Sequence, residues 1–118
     1  MLDPTEEKDL KELKSALKIE YDDDDTEVRR ACFAAIAYIK GAIGKDKPSF
    51  YEQSNEIGEL LNLSVIMLAD HYYKARSATV ESTTANGTLR EYDLGFTSIL
   101  LQLKAEYLVY KEVDQDGN

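Results

Sequence analysis

The sequence contains no tryptophan and, in 118 residues, only two prolines, one cysteine, one histidine and six glycines. A single cysteine, Cys32, can form no disulfide within the chain, so the fold is expected to stand on packing alone in a reducing compartment, the cytosol. One histidine and one cysteine leave no zinc-ligand spacing, and no glycine-rich phosphate loop or nucleophile elbow occurs. Positive charge is also in deficit: 14 Lys and Arg stand against 23 Asp and Glu, a formal charge of −9. Such a chain is not a general binder of phosphate backbones, which need a basic stripe to release counterions. Long hydrophobic runs are missing too. The strongest, Leu60 to Ala69, is broken by Asn62 and Ser64 and followed by Asp70, His71 and Lys74, so no membrane span is expected. No charged N-terminal region followed by an apolar stretch suggests export. Length and a hydrophobic content of 43% suit one domain over residues 1–113, followed by an acidic tail over 114–118 that is expected to be flexible.

The residues present read as helices. Asp3 is placed to cap a first helix with Pro4 in its opening turn, after which Leu10, Leu13 and Leu17 share one face, and the helix should stop near Lys18. A second helix is expected from about Thr26 to Ile43, because Val28, Cys32, Ala35, Ile36, Ile39 and Ile43 recur at helical spacing. Its alanines make it thin, and Gly41 and Gly44 mark its end. Ser49 and Glu52 have capping-box spacing, which predicts a long central helix from about Phe50 to Ala78, with Ser54, Asn55 and Gly58 as signs of a later start or a bend. This helix is apolar around much of its circumference (Ile57, Leu60, Leu61, Ile66, Met67 and Leu68, then His71, Tyr72 and Ala75). That places it at the centre of the domain or under a second subunit. Thr79 to Tyr92 is rich in threonine and contains Asn86-Gly87, which predicts a loop or short β-hairpin. A last helix follows from Asp93 to Gly95 onward, with Phe96, Ile99, Leu100, Leu103, Tyr107 and Tyr110 on one face. The expected fold is an all-α bundle of about four helices.

Candidate chemistry is sparse. The run Asp22 to Asp25 with Glu27 suits a hard cation by ligand type, but adjacent aspartates lack the alternation of a calcium loop, and capping of the second helix explains them better. Asp114, Asp116 and Asn118 copy the opening of such a loop without its glutamate or exit helix. Asp70 beside His71 points about 100° away from it around a helix and does not orient the imidazole. Cys32 lies on an apolar stripe with no activating neighbour. No catalytic, cofactor or metal residue is assigned, and the chain is not read as an enzyme. The eight tyrosines stand out. Tyr72 and Tyr73 cannot both face one core, so at least one is expected to point elsewhere, and tyrosine is enriched where a surface is buried against a partner.

Three segments carry a resemblance. Leu17-Lys18-Ile19 precedes Tyr21 and four aspartates that open an alanine-rich helix; Leu68-Ala69-Asp70-His71-Tyr72-Tyr73-Lys74-Ala75-Arg76 closes the long helix; and Gly95-Phe96 stands where a last helix opens. In this order, from about Leu10 to Tyr107, the chain resembles the small head-tail connector proteins of tailed bacteriophages and prophages. It departs from them in lacking a proline before the last helix and in its acidic tail. The resemblance implies a structural virion protein, present in the host cytoplasm before assembly. It implies that about a dozen copies form a ring with a heterologous, closed interface. The ring would join the portal protein to a tail or head-completion protein, with no cofactor and no membrane. Tyr72, Tyr73, Arg76, Arg90 and Phe96 are then the candidate subunit or portal contacts. DNA would pass without specific binding, since acidic walls repel phosphate. The reading from another class is a cytosolic helical interaction or regulatory module.

Overall fold

The computed structural model describes the backbone of residues 1–75 and 82–116 and the side chains of residues 1–75 and 95–113. Four helices follow in order: α1 (Glu7–Ala16), α2 (Asp25–Ile43), α3 (Glu56–Ala75) and α4 (Ser82–Asp116), with a 3-10 turn at Pro48–Glu52 between α2 and α3. No strand occurs among the described residues. The α2–α3 pair is the centre of the bundle, α4 packs on both, and α1 joins α2.

In α1 the expected stripe is buried, Leu10, Leu13 and Leu17 all facing the core. The expected cap at Asp3 is not made. Its carboxylate instead accepts the Thr5 N–H at 2.9 Å and hydroxyl at 2.6 Å, closing a turn ahead of the helix, which begins at Glu7 without a side-chain cap. The C-terminus ends as expected, in a Schellman motif. The Ile19 N–H reaches the Lys14 carbonyl at 2.8 Å and the Lys18 N–H reaches Ser15 at 3.1 Å, with Lys18 in the left-handed region at φ 62°.

In α2 the buried face is Val28, Ala31, Cys32, Ala35, Ile39 and Ile43. Its end is set by Gly44, whose φ of 148° suits glycine and whose missing Cβ leaves room for the Tyr107 ring; a Cβ there would lie 2.5 Å from Cε1 of that ring. The start of α3 differs from the Ser49–Glu52 reading. Pro48–Glu52 forms only the 3-10 turn, Gln53 is extended, and the N-terminal N–H groups of Ile57 and Gly58 are taken by Asn55 Oδ1 at 3.0 and 3.3 Å. The helix then buries Leu61, Val65, Leu68, Ala69 and Tyr73, while Ile57, Leu60, Ile66, Met67 and Tyr72 are partly covered.

The loop or hairpin over Thr79 to Tyr92 is corrected where the structure describes it: the backbone is helical from Ser82 on, and residues 76–81 lie outside the described residues. Asn-Gly makes a hairpin only between strands that can pair, and threonine's preference for extended structure depends on such neighbours. With a long helix already propagating from Gly95, adding turns costs less than starting a sheet. The last helix therefore does not open at Gly95-Phe96, which sit inside it, and it extends through Asp116 into the expected tail.

Candidate functional site

The two ends of α2 are fastened by different chemistry. At its start, the Lys14 ammonium of α1, nearly buried, reaches Asp22 and Asp25, each at 2.7 Å. Hydrogen bonding to Asp22 and then Asp25 pushes the Lys14 pKa up, and the same bond holds Asp22 below the usual carboxylate range. Asp24, the residue before α2, makes no side-chain cap. Its backbone lies at φ −107°, ψ 16°, outside the extended region that capping uses, and its carboxylate accepts the Tyr73 hydroxyl of α3 at 2.6 Å. The aspartate run thus ties α1, α2 and α3 together instead of capping α2, although Asp25 and Glu27 still sit favourably in the first turn.

At the other end four rings gather. Phe50 is edge-on to Tyr51, Tyr107 and Tyr110, with centroids 5.3, 5.2 and 5.5 Å away. Their hydroxyls are all used: Tyr107 accepts the Lys47 N–H at 3.1 Å, Tyr110 shares a 2.6 Å bond with Ser49, and Tyr51 donates to the Gly44 carbonyl. Burial, with Tyr107 nearby, pushes the Tyr51 phenol up to about 12. This knot fixes α4 to the α2–α3 connection.

The residues singled out from the sequence divide between core and margin. Tyr73 is 8% exposed and Phe96 6%, so both spend most of their surface on the chain's own core. Tyr72 is half-buried beside His71, ring centroids 6.0 Å apart, and burial followed by the neighbouring Tyr38 raises its pKa. The Tyr38 ring, unmarked by the sequence reading, lies 6.2 Å from Phe96, and the tilted pair adds to the aromatic surface on this side of α2. Arg76 and the Arg90 side chain lie outside the described residues. As the sequence required, Tyr72 and Tyr73 point different ways.

Sequence reasoning passed over a set of exposed apolar residues. On α4, Leu101 is 64% exposed, Leu108 54% and Val109 56%; on α2, Phe33 is 51% exposed. Their signal was present in the sequence as a second apolar row on α4, behind the buried one. Exposed apolar area, where it is contiguous, marks an interaction surface.

A family model for the phage gp6-like head-tail connector protein matches residues 7–104. The chain belongs to the phage gp6-like head-tail connector family. No curated protein and no solved structure matches it. The matched residues take in α1, α2, α3 and α4 as far as Lys104, so the exposed Leu108, Val109 and Val113 of this connector lie beyond the match. Its role is that of a structural component of the phage particle. Among the described residues no group of three or more His, Cys, Asp or Glu side chains is placed to hold a metal ion, and no helix is long and apolar enough to cross a membrane. Cys32 is buried, and burial pushes its thiol up to about 11, so it is a packing residue and not a nucleophile at neutral pH.

Proposed function

We propose that this connector assembles as an oligomeric ring of about a dozen copies between the portal protein and a tail or head-completion protein, leaving a channel for DNA. The observation that carries the reading is the family match over residues 7–104 on a helical bundle that leaves large apolar side chains in water. A ring of identical subunits needs two unlike surfaces on each copy, and exposed apolar area on both α2 and α4 is material for them. Tyr72, Arg76 and Arg90 belong to the portal or subunit contact, with the buried Tyr73 and Phe96 supporting that surface from beneath. The charge of −9 suits a conduit, since carboxylates do not retain passing phosphates.

Negative-stain microscopy of the connector mixed with the portal protein of the same phage tests this reading. Rings seated on the portal are the expected result, and portals that stay bare overturn it. Tyr72→Ala and Arg76→Ala should each weaken that seating; wild-type seating by both variants removes these residues from the contact. Duplex DNA should not be retained by the purified protein at moderate salt.

A further inference from the structure

The sides of α2 and α4 turned away from the core have matching patterns. On α2, Arg30, Phe33, Ala37 and Gly41 fall on one exposed row; on α4, Leu101, Ala105, Leu108 and Glu112 do the same. Each row covers eleven steps of helix, about 16 Å. The α2 row is thin after Phe33 and the α4 row is bulky, which is the relief that ridge-into-groove packing needs. Each row is apolar along most of its length and ends in a charged residue, of opposite sign: Arg30 on α2, which also meets Glu27 of its own helix at 3.3 Å, and Glu112 on α4.

Gly41 supplies an independent observation. It stands inside the last turns of α2, where glycine is the poorest residue after proline, and a Cβ built there would meet nothing within 4 Å. Nothing in the chain's own packing calls for a glycine at this place. A second helix lying close over it would.

We infer that the outward row of α4 packs antiparallel on the outward row of α2 of a second copy of this chain, with Leu101 over Gly41 and Glu112 beside Arg30. The occupant is a second copy because both halves of the pairing, with their complementary charges, are present on each chain. Because the two rows differ, the contact is heterologous: each copy uses one row toward each neighbour, and the chain of contacts continues until it closes. The inference rests on the connector reading and names the faces that would join its subunits.

Sedimentation velocity on the full chain tests it. Wild-type protein should associate as its concentration rises. Gly41→Leu, which blocks only the α2 row, and Leu108→Glu, which blocks only the α4 row, should each weaken self-association at least about 100-fold. Leu108→Glu should keep wild-type helicity and thermal midpoint, and Gly41→Leu should match or exceed both, because a Cβ at position 41 meets nothing in the chain and leucine is the better helix former. Mixed together, the two variants should give one-to-one dimers and nothing larger, since one intact row of each kind remains. Arg30→Glu should weaken association and Arg30→Glu with Glu112→Arg should restore it. Self-association of either row variant at wild-type strength, larger species in the mixture, or a wild-type chain that stays monomeric at millimolar concentration overturns the pairing. The connector reading fails by a different measurement, bare portals in the microscopy above, so the two failures are distinguishable.

Discussion

The start of α2 is held by charge and its end by rings, although one helix 19 residues long joins them. Lys14, Asp22, Asp25 and the Asp24–Tyr73 bond form a clasp whose strength depends on ionisation and salt. Phe50, Tyr51, Tyr107 and Tyr110 form a knot whose strength comes from buried area and edge-to-face geometry, and whose rings carry no group that titrates between acid and neutral pH. The knot also has an ion pair, Lys111 with Asp46 at 2.8 Å, but it lies in water and adds little. Opposite ends of a helix can thus be fastened so that acid loosens one and leaves the other.

The largest break in this comparison should come from Tyr107→Ala. It removes one of the three rings packed edge-on to Phe50, and by the usual cost of removing a buried ring it should lower stability by about 4 kcal/mol in urea denaturation. Gly44→Ala should cost about 2 kcal/mol, because a Cβ would enter the Tyr107 ring and the backbone angle is unsuited to alanine. At the clasp, Tyr73→Phe removes one charge-assisted hydrogen bond without emptying space, and should cost roughly 1.5 kcal/mol.

The smallest effect, and the one that separates the ends most cleanly, is the pH response of the clasp. Asp22 is held below its unfolded value of 3.8, so its contribution is full above that pH and disappears as pH falls through the lowered value. Lys14 is raised above 10.5, so its contribution is full below that pH and is lost only as pH rises through the raised value. Lys14→Met should therefore lower the thermal midpoint at neutral pH and converge with wild type in acid. Tyr107→Ala should remain displaced at every pH. A Lys14→Met curve parallel to wild type down to pH about 2 would show that the clasp carries no ionic stability.

Both ends were partly legible in the sequence. The stripes Leu10-Leu13-Leu17 and Val28 to Ile43 are periodic enough to fix their helices, and the stop near Lys18 followed from the passage through Ile19, Glu20 and Tyr21 into four consecutive aspartates. The aspartate run was visible as a charge cluster, but its use as a clasp depends on Lys14 and Tyr73, eight and nearly fifty residues away from their partners, which no local pattern reveals. Ser49 and Glu52 have the spacing of a capping box and yet Ser49 is spent on Tyr110, because the chain must first turn through Gln53 before Asn55 can cap α3. The helical Ser82 to Tyr92 segment was hidden by threonines and Asn-Gly, which are neutral guides unless a sheet exists to use them. For the candidate surface, the Tyr72–Tyr73 divergence followed from helix geometry, whereas the exposed side of α4 was overlooked because its inner row satisfied the periodic pattern first.

Cys32 lies between the two fastenings, buried on the inner face of α2, with its thiol pushed up to about 11. In the closed protein a maleimide or disulfide reagent finds neither access nor thiolate, so labelling can proceed only through molecules in which α2 has come away from the bundle. The chain therefore carries its own stopwatch for opening: one thiol, with no other to compete, and a labelling rate that rises when either end of the helix is let go.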